Sequence, residues 1–158
     1  MSAKDKLFID SLVADVYDLM GQPAATVGVE AKLGDVVDVL IKDPLSRKVY
    51  VVDAEGKLLG VVDAETVLRL IGYRVGIHRN AGISVLGFLR DTLKENAVDF
   101  LRKVRPVTKD TKLTAALQIM LDDNMADLPV VDDHGRLVGE LMSMELLTRA
   151  RTLFQREK

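Results

Sequence analysis

A twelve-residue pattern occurs twice in this chain and constrains its fold more than any other feature. The copies read VYVVDAEGKLLG at 49–60 and LPVVDDHGRLVG at 128–139. Their closing glycines, Gly60 and Gly139, lie 139 − 60 = 79 residues apart. Each copy has a β-branched run, an acid-rich turn ending in glycine and a second apolar run, which is the pattern of a β-hairpin. The sequence therefore predicts a duplicated unit.

The segments around the two hairpins repeat in the same order. An apolar stripe of helical spacing precedes the first hairpin, formed by Leu33, Val36, Val37, Leu40 and Ile41. The same stripe returns 113 − 33 = 80 residues later as Leu113, Ala116, Leu117, Met120 and Leu121. A short strand is predicted before each stripe and a helix after each hairpin, the first of these helices stopping at Gly72. A further helix is predicted over 5–20.

These patterns predict an α/β (α+β) fold of two β-α-β-β-α units. We predict a first repeat with the N-terminal helix at 1–72 and a second repeat at 97–158. A basic, glycine-rich connector with a helix is predicted between them, at 73–96. The apolar face of each sheet needs a cover, and the twin unit can supply it. We therefore expect the units to pack sheet to sheet with pseudo-twofold symmetry and a cleft on each side.

The composition of the chain excludes several classes of site. With no cysteine, disulfides, thiolate metal sites and cysteine nucleophiles are excluded. The aromatic share is 4% and the net charge is −2, which disfavours nucleic acid as a partner. No apolar run approaches the ~20 residues of a membrane span, and the N-terminus lacks a signal-peptide core. We expect a soluble, cytoplasmic protein with no membrane partner.

The repeated motif, together with VTKDTKL at 107–113, resembles a tandem pair of CBS domains, the cystathionine-β-synthase-type Bateman module. The resemblance covers nearly the whole chain. It implies two β-α-β-β-α units that bind an adenosine compound in their clefts and signal to a partner protein, often as a homodimer. AMP, ADP, ATP and S-adenosylmethionine are the implied ligands, with no required cofactor. No catalytic motif is present, so we expect no enzyme.

The family's nucleotide signature follows the second hairpin strand, as glycine, two apolar residues, Ser or Thr, two variable residues and Asp. The first copy has Asp63 at the hydroxyl position and Thr66 at the carboxylate position, whereas the second has Met142 and Glu145. The resemblance implies that the carboxylate holds ribose hydroxyls. An ionised Asp63 would repel a phosphate by about 4 kcal/mol at 4 Å and an effective dielectric of 20. The second copy is therefore the better candidate, with Met142 against a base.

The other candidate ligand contacts are Pro129, Val107, Tyr50 and Val27. Candidate phosphate contacts are Arg74, His78 and Arg79 of the connector. Structural alternatives stay open, with Asp63 as a helix cap, Glu145 as an acid in a first helical turn, Met142 as core and the connector arginines as solvated charges. The acids between 122 and 133 leave open a divalent cation, although solvated loop acids explain them as well and no metal site is predicted.

The sequence thus predicts a stand-alone regulatory module that senses a metabolite for an unidentified partner protein. A ligand-free dimeric scaffold is the first alternative, because neither copy carries the full nucleotide signature. The second alternative is nucleic-acid binding through the arginines at 69, 74, 79 and 90.

Overall fold

The computed structural model of the chain describes residues 7–20, 23–44, 46–78 and 84–155. In chain order its elements are α1 (Val13–Met20), β1 (Thr26–Gly28), α2 (Leu33–Lys42), β2 (Lys48–Val52), β3 (Leu58–Asp63), α3 (Ala64–His78), α4 (Val85–Leu93), a 3₁₀ helix (Ala97–Phe100), α5 (Leu113–Asp122), β4 (Asp127–Val131), β5 (Leu137–Met142) and α6 (Ser143–Gln155). They form two compact units, the central unit Ala25–Lys103 and the terminal unit Met1–Ala24 with Val104–Lys158. Each unit mixes helices with a small sheet, so the predicted fold class is confirmed.

The central unit contains a three-stranded sheet in the order β1-β2-β3. β1 runs parallel to β2 across the α2 crossover, and β2 and β3 form the predicted antiparallel hairpin. Side chains alternate across the sheet, so every second residue faces the core. Val49, Val51 and Val62 point into this core. The helices contribute Leu33, Val36 and Val67 to the same core.

Both hairpins close with the same turn chemistry. In each turn an aspartate, Asp53 or Asp132, accepts backbone N–H bonds of 2.9–3.0 Å from the residues two and four positions later. The glycines within the two turns, Gly56 and Gly135, have φ of +83° and +77°. Glycine adopts this left-handed conformation without the clash that a Cβ atom would cause. The sequence repeat is therefore also a repeat of turn geometry.

The terminal unit contains the second hairpin, a two-stranded antiparallel sheet of β4 and β5. The short strand predicted before the second stripe is reduced to one bridge between Val107 and Val130. The sheet residues Leu128, Val130 and Leu141 form a core with α5, α6 and α1.

The N-terminal helix packs in the terminal unit, although we assigned it to the first repeat. The Val13 N–H donates to the Thr111 carbonyl at 2.7 Å, and the Leu113 N–H donates to the Ser11 carbonyl at 2.9 Å. These bonds join the N-terminal segment to the loop before α5. They also interrupt the single helix predicted over 5–20, because α1 begins only at Val13.

The predicted connector packs on the first repeat. α3 continues through Gly72 to His78 instead of stopping at Gly72, because one glycine lowers helix stability by only about 1 kcal/mol. The Ser84 side chain caps α4, accepting the Gly87 N–H at 3.3 Å. Arg102, beyond the 3₁₀ helix, exchanges two backbone bonds of 2.9 and 3.0 Å with Val61 of β3. The compact units thus divide the chain at points other than 72–73 and 96–97.

Candidate functional site

The hairpin register brings predicted contacts onto one face of each sheet. In the terminal unit Pro129 pairs with Glu140, and Asp127 pairs with Met142. Cross-strand partners share a sheet face, and the alternation puts these four residues opposite the core residues. The candidates Pro129 and Met142 therefore lie on the same face, in the company of two acids.

The central unit repeats this arrangement with different chemistry. Tyr50 pairs with Val61, and Lys48 pairs with Asp63, again on the face opposite the core. Tyr50 has no exposed surface. Two acids of the terminal unit, at 127 and 140, are thus replaced by a lysine and a valine at the equivalent positions 48 and 61.

Two predicted contacts lie on the opposite, core-facing side. Val27 pairs with Val51, and Val107 bridges to Val130. Both valines pack against the hydrophobic core of their own unit. Within its own unit, Val27 thus lies on the sheet face opposite Tyr50, and Val107 lies on the face opposite Pro129 and Met142.

Asp63 is held by bonds within the central unit. Its Oδ1 accepts the Thr66 N–H at 2.8 Å and the Thr66 hydroxyl at 2.7 Å, and its Oδ2 accepts from the Arg102 guanidinium at 2.9 Å. Burial alone would raise the pKa of Asp63, but the Thr66 bonds and the Arg102 charge together lower this pKa below 3.8. Asp63 thus has the geometry of a helix cap for α3, which is the structural alternative. Arg102 also offsets charge that would repel a phosphate.

Glu145, in the first turn of α6, is in the opposite situation. Its side chain is 3% exposed, and neither carboxyl oxygen has a hydrogen-bond partner among the described residues. Burial raises the pKa of Glu145 to about 7; the nearby Met142 N–H lowers it in part, and the charges of Asp127 and Glu140 raise it further. Buried polar groups are almost always bonded. A buried, unbonded acid that titrates near neutral pH is therefore typical of a binding site.

Arg149 is a further candidate that the sequence interpretation missed. Its Nε atom is buried and, within the described part of the chain, has no hydrogen-bond partner. Arg149 follows Glu145 by one helical turn, and residues at this spacing share a helix face. The i, i+4 spacing was the available signal in the sequence. Within the described residues, α6 therefore carries one unbonded acceptor group and one unbonded donor on the same helix face.

The arginines at 69, 74 and 90, which carry the nucleic-acid alternative, are each paired with an acid. Arg74 makes two bonds to Glu95, at 2.5 and 2.9 Å, and one to the Thr92 hydroxyl at 3.1 Å. Arg69 and Arg90 also lie within ion-pair distance of carboxylates. A phosphate bound by Arg74 would have to compete with Glu95. The other two predicted phosphate contacts, the His78 side chain and Arg79, lie outside the described residues.

The acids between 122 and 133 are largely engaged by arginines. Arg105 pairs with Asp122 and Asp123, and Arg136 pairs with Asp132. In the ranges that the structure describes, no group of three His, Asp or Glu side chains converges as a metal site. Those ranges also contain no helix that is both long enough and apolar enough to cross a bilayer.

Comparison with known proteins identifies the family. The CBS domain family model matches two regions of this chain, residues 13–73 and 98–151. Together these regions cover more than half of the sequence, in the two places where the repeat was found. The chain belongs to the CBS domain family and carries the domain twice.

Three solved structures show the similarity in detail. A CBS domain-containing protein from Thermotoga maritima is 30% identical, covering 87% of this chain and 92% of its own, with a TM-score of 0.65. CBSX2, solved in complex with AMP, is 20% identical, covering 90% and 97%, with a TM-score of 0.67. CbpB, solved in complex with c-di-AMP, is 16% identical, covering 97% and 93%, with a TM-score of 0.68. The two more distant proteins show the shared fold.

Proposed function

We propose that this protein is a regulatory CBS pair that binds an adenosine-containing ligand at the terminal unit, through Glu145. The observation that carries this proposal is the buried carboxyl group whose two oxygens accept no hydrogen bond from the described residues. An unbonded polar group of this kind costs about 1–3 kcal/mol, and more when it is charged. A ligand that supplies two donors removes this cost.

A ribose fits this requirement. Its neighbouring hydroxyls can donate to the two oxygens of one carboxylate, as in other nucleotide sites. Met142 lies three residues before Glu145, on the sheet face opposite the core, and offers a polarizable thioether to the base. Arg149 Nε is available to an acceptor of the ligand, such as a phosphate oxygen. The same helix therefore serves both the sugar and an anionic substituent.

The similar structures support the ligand class. The ligands in the structures of CBSX2 and CbpB, AMP and c-di-AMP, both contain adenosine. AMP, ADP, ATP and S-adenosylmethionine remain our candidates for this chain. In the central unit, by contrast, Asp63 already has its bonds from Thr66 and Arg102, so we propose a weaker site or none there.

We also propose that the bound state is read by a second copy or by a partner protein. Apolar side chains on α3 and α6 remain exposed, with Leu68 and Tyr73 on α3 and Met144 and Leu147 on α6. Exposed apolar patches on helices are typical of interaction surfaces. The ligand would act by favouring one arrangement of the module over another, through its difference in affinity for the two.

A thermal-shift series with AMP, ADP, ATP, S-adenosylmethionine and adenosine tests the proposed function. A ligand at 100 times its Kd should add about 2.7 kcal/mol to the free energy of unfolding. Glu145→Ala should weaken binding by about 1–3 kcal/mol. Glu55→Ala is the matched control, because Glu55 is an exposed turn residue and should bind as wild type. No shift with any of the five compounds would contradict the proposal and favour the ligand-free scaffold.

The salt dependence of binding distinguishes the nucleic-acid alternative from the proposed adenosine site. Binding through arginine contacts to phosphates should weaken steeply as salt rises. Because Arg69, Arg74 and Arg90 are engaged with carboxylates, we expect no such binding.

A further inference from the structure

The surroundings of the Glu145 carboxyl are acidic. Asp127 of β4 and Glu140 of β5, itself 5% exposed, both act on it with like charge. Its own helix supplies Arg149, whose Nε makes no bond to it. Repulsion and burial therefore act in the same direction, against ionisation.

No hydrogen bond from another element packed on α6 reaches the Glu145 carboxyl in the described part of the chain. From α1, Tyr17 donates its hydroxyl to the Val138 carbonyl at 2.9 Å, so this donor is already used. At the end of α5, Asp122 and Asp123 are paired with Arg105. Across the described residues, no ion pair or hydrogen bond connects Glu145 to a cation. With a pKa of about 7, about half of Glu145 is therefore the neutral acid at neutral pH in the free protein.

We propose that ligand binding at the terminal unit is linked to the loss of one proton from Glu145, so that the site senses pH together with its ligand. A neutral carboxyl uses one oxygen as a donor and can accept fewer hydroxyl bonds, whereas the carboxylate accepts on both oxygens. On binding, the O–H bond of the carboxyl breaks, the proton passes to solvent, and two hydroxyls of the ligand donate to the resulting anion. This inference rests on the proposed function, because it uses the same carboxyl and the same diol.

The linkage has a defined range. The pKa of Glu145 is about 7 in the free protein, so the ionised fraction falls about tenfold for each pH unit below that value. A ligand that binds only the ionised form loses affinity in the same proportion. Above this range the affinity becomes constant. Acidification of the surroundings would thus release the ligand at constant ligand concentration.

A carbon-13 NMR titration of glutamate-labelled protein tests the first half of the inference without any ligand. One carboxyl resonance should titrate near pH 7, and Glu145→Gln should remove it. Glu140→Gln is the assignment control: it should leave this resonance in place, with a lower pKa because one like charge is removed. A Glu145 resonance that titrates as an ordinary glutamate, near 4.5, would overturn the inference.

Calorimetry with adenosine as the probe tests the second half, because adenosine carries the diol and has no phosphate that titrates in this range. Between pH 8 and pH 6 the Kd of the wild type should rise about tenfold. Glu145→Gln should bind weakly and equally at both values, and 2′-deoxyadenosine should lose both affinity and most of the pH dependence.

The outcomes separate the two claims. Adenosine that binds with the same Kd at both pH values would overturn the linkage and leave the proposed function standing. Absence of adenosine binding at both values would overturn the proposed function, and the linkage with it.

Discussion

Two acids at the starts of equivalent helices meet opposite surroundings. Asp63, at the start of α3, accepts three hydrogen bonds, from Thr66 and Arg102, and its pKa is lowered. Glu145, in the first turn of α6, accepts none from the described residues, and its pKa is raised. Both acids were singled out from the signature positions. Which one was satisfied could not be predicted, because Arg102 lies 102 − 63 = 39 residues from its partner.

Replacing Glu145 by glutamine should stabilise the protein at pH 8, by about 1–3 kcal/mol, because the wild type must bury an ionised group there. The pKa of the folded state, about 7, lies above the ordinary 4.5, so the native protein binds this proton more tightly than the unfolded chain. Wild-type stability from this group is full below 4.5 and is lost as pH rises through 7. The gain of the variant should therefore vanish in acid.

Urea unfolding at pH 5 and pH 8 measures this difference, with Glu55→Gln as the control. A gain in stability of equal size at both pH values would mean that the pKa of Glu145 does not change on folding.

At the scale of elements, local pattern decided most of what was predicted correctly. The hairpins, α2 and α5 follow from spacing and turn residues that are neighbours in sequence. The predicted helix end at Gly72 was wrong, because α3 continues through this glycine to His78. A glycine that ends a helix commonly adopts a positive φ. Neither Gly72 nor Gly76 has a positive φ.

The glycines of the turn and of the helix should respond oppositely to alanine. A Cβ atom at Gly135 or Gly72 meets nothing within 4 Å, so space is equal at both positions. Gly135→Ala should cost about 1–2 kcal/mol, because its φ of +77° strains an L residue. Gly72→Ala should add about 0.5–1 kcal/mol through better helix propensity. Thermal unfolding of the two variants checks the signs, and destabilisation by Gly72→Ala would mean that this helix face is packed against something in solution.

At the scale of the whole molecule, the two units expose similar helical surfaces. Leu68 on α3 and Leu147 on α6 are 147 − 68 = 79 residues apart, the period of the repeat, and are 65% and 61% exposed. Such large apolar side chains in equivalent places favour a shared role in association. This supports the homodimer that the family resemblance implies, which stays a prediction.

We expect the protein to be dimeric by light scattering and the double variant Leu68→Glu/Leu147→Glu to be monomeric, because buried unpaired carboxylates oppose association. Circular dichroism should show that the fold is kept, since both side chains are exposed. Leu59→Glu is the control, being an exposed apolar residue of a hairpin strand. A wild type that is monomeric, or a double variant that stays dimeric, would exclude these helix faces as the interface.

The sequence by itself determined the duplication, the hairpins with their glycine turns, the amphipathic helices and the family, because each depends on residues close together in the chain. Only the tertiary structure decided that the N-terminal helix packs with the second repeat, that Arg74 is paired with Glu95, and that Arg102 neutralises Asp63. It also decided that Glu145 is buried and accepts no hydrogen bond from the described residues. These facts depend on groups that folding brings together from distant positions in the chain. A local sequence pattern therefore cannot predict which hydrogen bonds a buried side chain makes or lacks.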